Sequence, residues 1–501
     1  MLPLIRSSRQ TYLERGIMKL RAIRSIEDEL EKESYSGIWN MCGKDQKLLG
    51  ACEFEPTEAG TLEVRGGLLN DSDDIGNPLA VVQGRCEGFA FVTLFDVVLE
   101  RQTEHHALNV GSEIKARYRC HQGWVGDRCF ESREEVVFDS VAFRITNLET
   151  WHNAARSFNM DYVRGSITYC RPEAVDLYED DCVVVKLMYD VVWSALSIQQ
   201  TEAQVRHFPY IQIKAKRGRL PYYGEGTVCY ASYVKNVSTV LGLLMGMNAS
   251  VYDIRGYFDA GEPKMQEFRL MLGRDLPSSL KRRYKIDQVF LKCAAIGGAV
   301  KDVIGRYFGL SGEARKIAET LVYLKYARRM IPPGGVPELI FIFEGLAREL
   351  YGEECRIERE KMPGFKEHED KKRMVLECLA SDEELRQWTE ARLKFRPVRL
   401  DRLFFIAREK VKGACPTLTN ETAFRAFVEY LRARRDGYAH SEQKELEHEA
   451  MYLPTYYWLQ TFLIVMILAK IGVSDDLLRC NLFNIPEFRW ANEVYETEFI
   501  N

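Results

Sequence analysis

Near the end of this 501-residue chain the sequence reads Arg432-Ala433-Arg434-Arg435-Asp436-Gly437-Tyr438-Ala439-His440. An arginine in the last turn of a helix and a histidine just beyond it, spaced Arg-x4-His as Arg435 and His440 are, can be brought to one phosphodiester. An imidazole exchanges its proton near neutral pH and so suits general acid or base work. A guanidinium pairs bidentately with phosphate and stabilises charge that develops on it. Gly437 permits a local break or the close approach of another chain.

The spacing alone is a loose signal, because chance supplies about one Arg-x4-His in a chain of this length and composition. A second instance, Arg101-Gln102-Thr103-Glu104-His105-His106, acts as an internal control. It ends a strand-like run, lacks an acid after the arginine and has no basic cluster around it, and it reads as coincidence. The setting of Arg435 differs. Between residues 391 and 440 there are 12 Lys/Arg against 5 Asp/Glu, a net of +7, and residues 441–501 reverse this with 4 against 10. The formal total of −4 excludes a uniformly basic nucleic-acid coat but conceals a basic segment that a phosphate-rich partner fits. On charge counting alone, solvated helix faces explain that segment equally well.

The elements that must position this pair are helical. Periodic apolar spacing predicts helices at about 287–308, 311–330, 338–351, 366–379, 382–394, 398–412, 421–436 and 441–472, the last broken near Pro454. Short turns between them favour a bundle. Asn420-Glu421 supplies a cap and an acidic first turn, and Phe424, Phe427 and Leu431 form an inward stripe. Before Tyr233 the texture is different. Short alternating runs at 37–42, 48–54, 62–68, 80–83, 89–99, 112–119, 136–145, 166–170, 183–188, 205–214 and 226–230 predict an antiparallel sandwich or barrel. The fold class expected is therefore α+β and multidomain, β-rich first and all-α after.

With 46% hydrophobic and 28% charged residues the chain has the composition of a folded protein. Its 13 cysteines include no C-x-x-C pair, which fits reduced thiols and a cytoplasmic location. Cys120-His121 with Cys129 is the nearest approach to a metal cluster but lacks a second ligand pair, so no metal is expected. The run from Tyr456 to Gly472 is interrupted by Gln460 and Lys470 and falls short of a bilayer span, so it reads as a buried core helix with no membrane partner. The N-terminus shows no signal-peptide pattern, and Met18 is an alternative start.

The pattern Arg435-Asp436-x-x-x-His440 at the end of an amphipathic helix, followed by a polar turn and a long apolar helix ending Ile467-Leu468-Ala469-Lys470-Ile471-Gly472, resembles the catalytic region of HEPN-domain ribonucleases. The run from Phe341 to Gly352 resembles the first helix of the same bundle, where an acid such as Glu344 sits. The N-terminal half resembles the opening domain of ApeA-type anti-phage proteins. The landmarks are Ser36-Gly37-Ile38-Trp39, Leu49-Gly50-Ala51-Cys52-Glu53-Phe54, Leu62-Glu63-Val64-Arg65-Gly66, Val141-Ala142-Phe143 and Leu148-Glu149-Thr150-Trp151. Asn40 departs from it, standing where a second aromatic residue is expected.

The resemblance implies an abortive-infection endoribonuclease, metal-independent and without cofactor. It would act on cellular RNA, tRNA foremost, as a homodimer or higher homo-oligomer in which two Arg/His sets line one cleft, and a phage-derived protein or other trigger would release it. His440 would activate the ribose 2′-hydroxyl or protonate the leaving 5′-oxygen, and Arg435 would hold the scissile phosphate. Asp436 would orient either of them or serve only as a solvated surface group. Arg432, Arg434, Arg425 and Tyr438 would bind RNA, with Glu344 in support. The rival reading is a non-catalytic HEPN-like RNA- or nucleotide-binding scaffold. The implied division is an arm at 1–34, a β-rich sensing domain at 35–230, a helical connector at 231–312, the HEPN-like domain at 313–480 and an acidic tail at 481–501.

Overall fold

The computed structural model describes residues 32–54, 60–66, 68, 78–107, 111–152, 158–161, 166–169, 171–193, 205–224, 228–247, 249–259, 265–272, 285–326, 331–332, 334–439 and 449–500. His440, His448 and nearly all of the expected N-terminal arm lie outside these residues. The chain divides into two compact units, one running to Ser238 and taking in Asn248–Tyr284, the other made of Thr239–Met247 and Lys285–Asn501.

In the first unit six strands close a barrel: β1 (Glu33–Met41), β2 (Leu48–Phe54), β3 (Gly60–Arg65), β4 (Pro78–Cys86), β5 (Phe91–Ala107) and β6 (Gly111–Cys120). They run in the order β5-β4-β1-β2-β3-β6, and β5 pairs with β6 to shut the ring. Residues alternate between the two faces along each strand, so Trp39, Cys52, Leu62, Val64, Val82, Leu94, Tyr118 and Cys120 fill the interior and are buried. Trp39 donates from its indole nitrogen to the Gly50 carbonyl at 3.1 Å. A Cβ on Gly84 would lie 2.6 Å from the Trp39 ring, so the strand there admits only glycine without displacement.

The long strand β5 serves two neighbours on its N-terminal half. Phe91–Phe95 pairs with β4 on one side and with β7 (Gln122–Gly126) on the other. Beyond β7 the sheet continues through β8 (Ser140–Ile145), β9 (Val175–Glu179), β10 (Val183–Trp193), β11 (Val205–Ala215), β12 (Val251–Asp259) and β13 (Met265–Leu272). The spatial order is β9-β10-β11-β8-β12-β13-β7-β5. The connector expected to be helical over 231–312 therefore contains two strands in the middle of this sheet. Tyr230, placed in a strand by the sequence pattern, instead begins helix α1 (Tyr230–Met245). Ser140–Ile145 is buried at every position and Tyr252–Ile254 at three in succession, so the polar alternation that marks a one-sided strand is missing there.

The second unit is a helical bundle: α2 (Val300–Phe308), α3 (Gly312–Tyr326), α4 (Gly335–Leu350), α5 (Gly352–Glu360), α6 (Phe365–Cys378), α7 (Glu383–Arg392), α8 (Leu400–Val411), α9 (Glu421–Ala439), α10 (Glu449–Lys470), α11 (Asp475–Asn481) and α12 (Pro486–Phe499). Phe343 of α4 stacks on Phe404 of α8 at 3.8 Å. α10 is long and apolar enough to cross a membrane by length and composition, yet it is 83% buried as a core helix of the bundle. Pro454 does not break it: in the second turn a proline removes one backbone donor and the helix continues. The expected acidic tail at 481–501 is also corrected. α12 buries Phe488, Ala491, Asn492 and Tyr495, and the Tyr495 ring stacks on Trp458 at 5.3 Å. Counting charge registered the outer face of this helix and overlooked its apolar stripe.

Candidate active site

The site is built where the inward face of α9 runs out of core. Asn420 caps the helix, its side-chain oxygen accepting from the Ala423 N–H at 3.1 Å. Phe424, Phe427, Val428 and Leu431 are buried. Arg435 follows Leu431 by four residues and so continues the same face. A half-buried cation needs a partner, and Glu344 of α4 supplies it: Arg435 Nη1 donates to Glu344 Oε1 at 2.6 Å. Asp436 takes the opposite edge of the guanidinium, its Oδ1 accepting from Nε at 3.0 Å and from Nη2 at 2.8 Å. Burial disfavours the charge on Arg435, but the hydrogen bonds to Asp436 and Glu344 outweigh it and raise its pKa above the ordinary arginine value.

Two further arginines extend the cluster. Arg432 Nε lies 3.5 Å from Asp436 Oδ2. Arg348, one turn beyond Glu344, approaches Glu344 Oε2 at 3.3 Å through both terminal nitrogens and reaches the Val398 carbonyl at 3.5 Å. Arg348 was not among the residues expected from the sequence, although its i,i+4 spacing from Glu344 is the signal that finds it. Three cations thus surround two carboxylates, which leaves the cluster with a net positive charge.

The N-terminal end of α4 is fixed by tyrosines. The Tyr452 hydroxyl accepts from the Gly335 N–H at 2.8 Å and donates to the Pro332 carbonyl at 2.5 Å. Tyr438, 60% exposed, lies against Gly334, where a Cβ would sit 3.0 Å from its hydroxyl. Arg434 turns its guanidinium over the Tyr430 ring at 5.1 Å. Arg425 is not brought to the cluster: ten residues earlier on the helix, about 15 Å along its axis, it pairs with Glu421 at 3.0 Å and lies over Phe405. The structure therefore gathers Glu344, Arg435, Asp436, Arg432 and Arg348.

Part of the basic excess of residues 391–440 is taken up by groups of the bundle itself. Lys410 pairs with Glu354, Arg402 approaches Glu358 at 3.7 Å, and buried Arg408 donates to the Leu418 and Thr419 carbonyls. Glu354 and Glu358 lie outside the window in which the charges were counted, so the count overstated what is presented to a partner. In the barrel unit, Cys120 Sγ lies 3.9 Å from Cys52 Sγ, while Cys129 faces the Gly84 and Val92 carbonyls. No group of three metal-ligating side chains gathers among the described residues.

The family model described as ApeA N-terminal domain 1 matches residues 34–307, more than half of the chain. No curated protein and no solved structure matches. The matched span includes the whole barrel and the strands β12 and β13 that follow α1, as the sheet order requires of one structural unit. The chain thus belongs to the family of the ApeA N-terminal domain 1 and is an ApeA-type anti-phage defence protein.

Proposed function

We propose that this defence protein is a metal-independent endoribonuclease of the HEPN type that cleaves cellular RNA in the cytoplasm, tRNA foremost, when a phage-derived trigger releases it. The reading rests on Arg435: a guanidinium on a buried helix face, held by Glu344 and flanked by Arg432 at the edge of the bundle. Attack of a ribose 2′-hydroxyl on the adjacent phosphorus forms a 2′,3′-cyclic phosphate and expels the 5′-oxygen, which takes up a proton. One imidazole must accept the 2′ proton and another acid must supply the second. A homodimer that brings two copies of His440 to one cleft provides both.

Arg435 stabilises the charge that grows on the phosphoryl oxygens. Its Nε/Nη2 edge, the one suited to bidentate phosphate binding, is occupied by Asp436. Substrate phosphate therefore displaces that carboxylate, and Arg432 is placed to receive it. Asp436 acts in this scheme as an internal phosphate mimic that keeps the arginine oriented between turnovers.

The test is RNA cleavage by the full chain, with the ends sequenced. Arg435→Ala and His440→Ala should each abolish cleavage, Arg435→Lys should lose most of it because the fork geometry is lost, and activity should persist in EDTA. Activity retained in both alanine variants would overturn the site. The second reading, a non-catalytic RNA-binding scaffold, draws on the same occupied guanidinium. It predicts RNA binding sensitive to Arg432 and Arg435 with no cyclic phosphate product.

A further inference from the structure

Between α5 and α8 the helices α6 and α7 form a hairpin in which no residue from Lys361 to Pro397 is buried. Helices with so little burial hold their shape by local pairing. In α6 Lys371 reaches Glu367 at 2.6 Å and Arg373 reaches Asp370 at 2.9 Å, and Asp382 caps α7 by accepting from the Leu385 N–H at 2.9 Å. After α7 the chain returns to the bundle along α6. Phe395 is half-buried there, its ring against Phe365 at 5.4 Å and His368 at 5.2 Å, while Lys394 and Arg396 on either side of it are exposed. Arg396 reaches the Pro363 carbonyl at 3.4 Å.

Charge is sorted along this hairpin. Residues 376–385, around its turn, hold four acids and no Lys/Arg, and residues 386–399, on the return, hold five Lys/Arg against one acid. Acids first and cations last suit the α7 dipole, but Lys394, Arg396 and Arg399 lie beyond the helix end, past the turn in which that field acts. The one acid, Glu390, is taken by Lys372 at 3.4 Å, and Asp401 is taken by Arg399 at 3.2 Å. Arg392, Lys394 and Arg396 thus have no carboxylate partner among the described residues. Arg392 instead lies over the Trp388 ring at 4.1 Å, and Trp388 is 56% exposed, so a guanidinium plane and an indole stand stacked in the open. The root of the hairpin adjoins the candidate active site: Arg348 reaches the Val398 carbonyl at 3.5 Å and Glu344 at 3.3 Å, and Glu344 holds Arg435.

We propose that the return arm of this hairpin binds RNA beside the candidate active site, with a base stacked on the Trp388–Arg392 pair and Lys394 and Arg396 holding the neighbouring phosphates. The inference rests on the reading of RNA as the substrate and extends it to a surface outside the Arg-x4-His site. Stacking on an aromatic ring or a guanidinium plane accepts any base, and cations along the backbone add affinity without reading sequence. The arm therefore positions RNA and does not choose the bond that is cut. An acidic protein segment would satisfy the cations alone; the stacked indole and guanidinium, next to a cluster suited to phosphate, favour a nucleic acid.

Fluorescence anisotropy with the purified full chain tests it. The probe is a labelled single-stranded RNA of about 16 nucleotides, 2′-O-methylated throughout so that no 2′-hydroxyl can attack, and a polyglutamate peptide is the control. Trp388→Ala should weaken RNA binding about tenfold and leave its salt dependence unchanged, and Trp388→Phe should restore most of the loss. Arg392→Ala, Lys394→Ala and Arg396→Ala together should flatten the slope of log K against log salt by about 2. None of these side chains is in the core, so melting temperatures should stay as in the wild type. On unmodified RNA the same variants should raise KM and leave kcat as it is. No RNA binding up to about 1 mM, or RNA binding indifferent to Trp388→Ala, would overturn the proposal. So would polyglutamate bound more tightly than the RNA, which would mark a protein-docking face. Cleavage with a KM indifferent to these variants would remove the arm and leave the ribonuclease reading standing, whereas binding that depends on Trp388 without any cleavage would keep the arm and remove the nuclease.

Discussion

The barrel interior and the inward face of α9 solve the same burial problem with different chemistry. In β3 and β6 the inward positions are apolar or small, from Leu62 and Val64 to Ala116 and Tyr118, and the strand ladders satisfy the backbone. The inward stripe of α9 begins in the same way with Phe424, Phe427 and Leu431 but closes on a guanidinium. An apolar side chain at that last position would have extended the core. A charge instead obliges α4 to supply Glu344 at the matching height, and Glu344 in turn is approached by Arg348. A structural core minimises such obligations, whereas a site that binds an ion accepts them.

The strongest way to test this contrast is to remove a central side chain of the barrel. Trp39→Ala should cost about 3–5 kcal/mol, read as a fall in the denaturant midpoint of the first unit, because a fully buried indole leaves a cavity that a closed ring cannot collapse. Glu344→Ala should cost less stability, about 1–3 kcal/mol, since Arg435 loses one partner but keeps Asp436. Its effect on RNA cleavage should be the larger one, a fall in kcat that Glu344→Gln only partly restores. Asp436→Ala frees the Nε/Nη2 edge and should lower KM for RNA while also lowering kcat, a split that steady-state kinetics resolves. An unchanged KM would show that Asp436 does not compete with phosphate. Arg425→Ala should change stability by less than about 0.5 kcal/mol and leave cleavage near the wild-type rate, because its ion pair is exposed and distant from the cluster.

Much of the barrel was legible in the sequence because its strands have one wet face. Leu48–Phe54 is assigned with its true ends, and Trp39 and Leu62 fall in the runs expected for them. The strands that escaped, among them Gln122–Gly126, Val175–Glu179 and Met265–Leu272, either are too short for alternation to register or sit between neighbours on both sides. α12 was hidden by its acidic outer face. At the site, spacing and resemblance marked Arg435, Asp436 and Glu344, but the pairing between Glu344 and Arg435 joins residues 91 apart, and no local pattern encodes such a contact. Arg425 shows the converse: it shares a helix with Arg435 and a sign of charge, yet ten residues of helical rotation and rise give it a different neighbourhood.

Strand β5 carries a consequence for how the first unit opens. Phe91–Phe95 bonds to β4 and to β7, and Leu99–Ala107 bonds to β6, so one segment belongs to the closed ring and to the sheet that continues from it. Neither can come apart by peeling from a free edge at that point. The amides of Phe91–Phe95 should exchange with solvent only through the largest openings of the unit, while β9, at the far margin of the sheet, exchanges through small local ones. A ligand that tightened the barrel wall would therefore slow exchange in β7, which bonds directly to β5, and through β7 in β13.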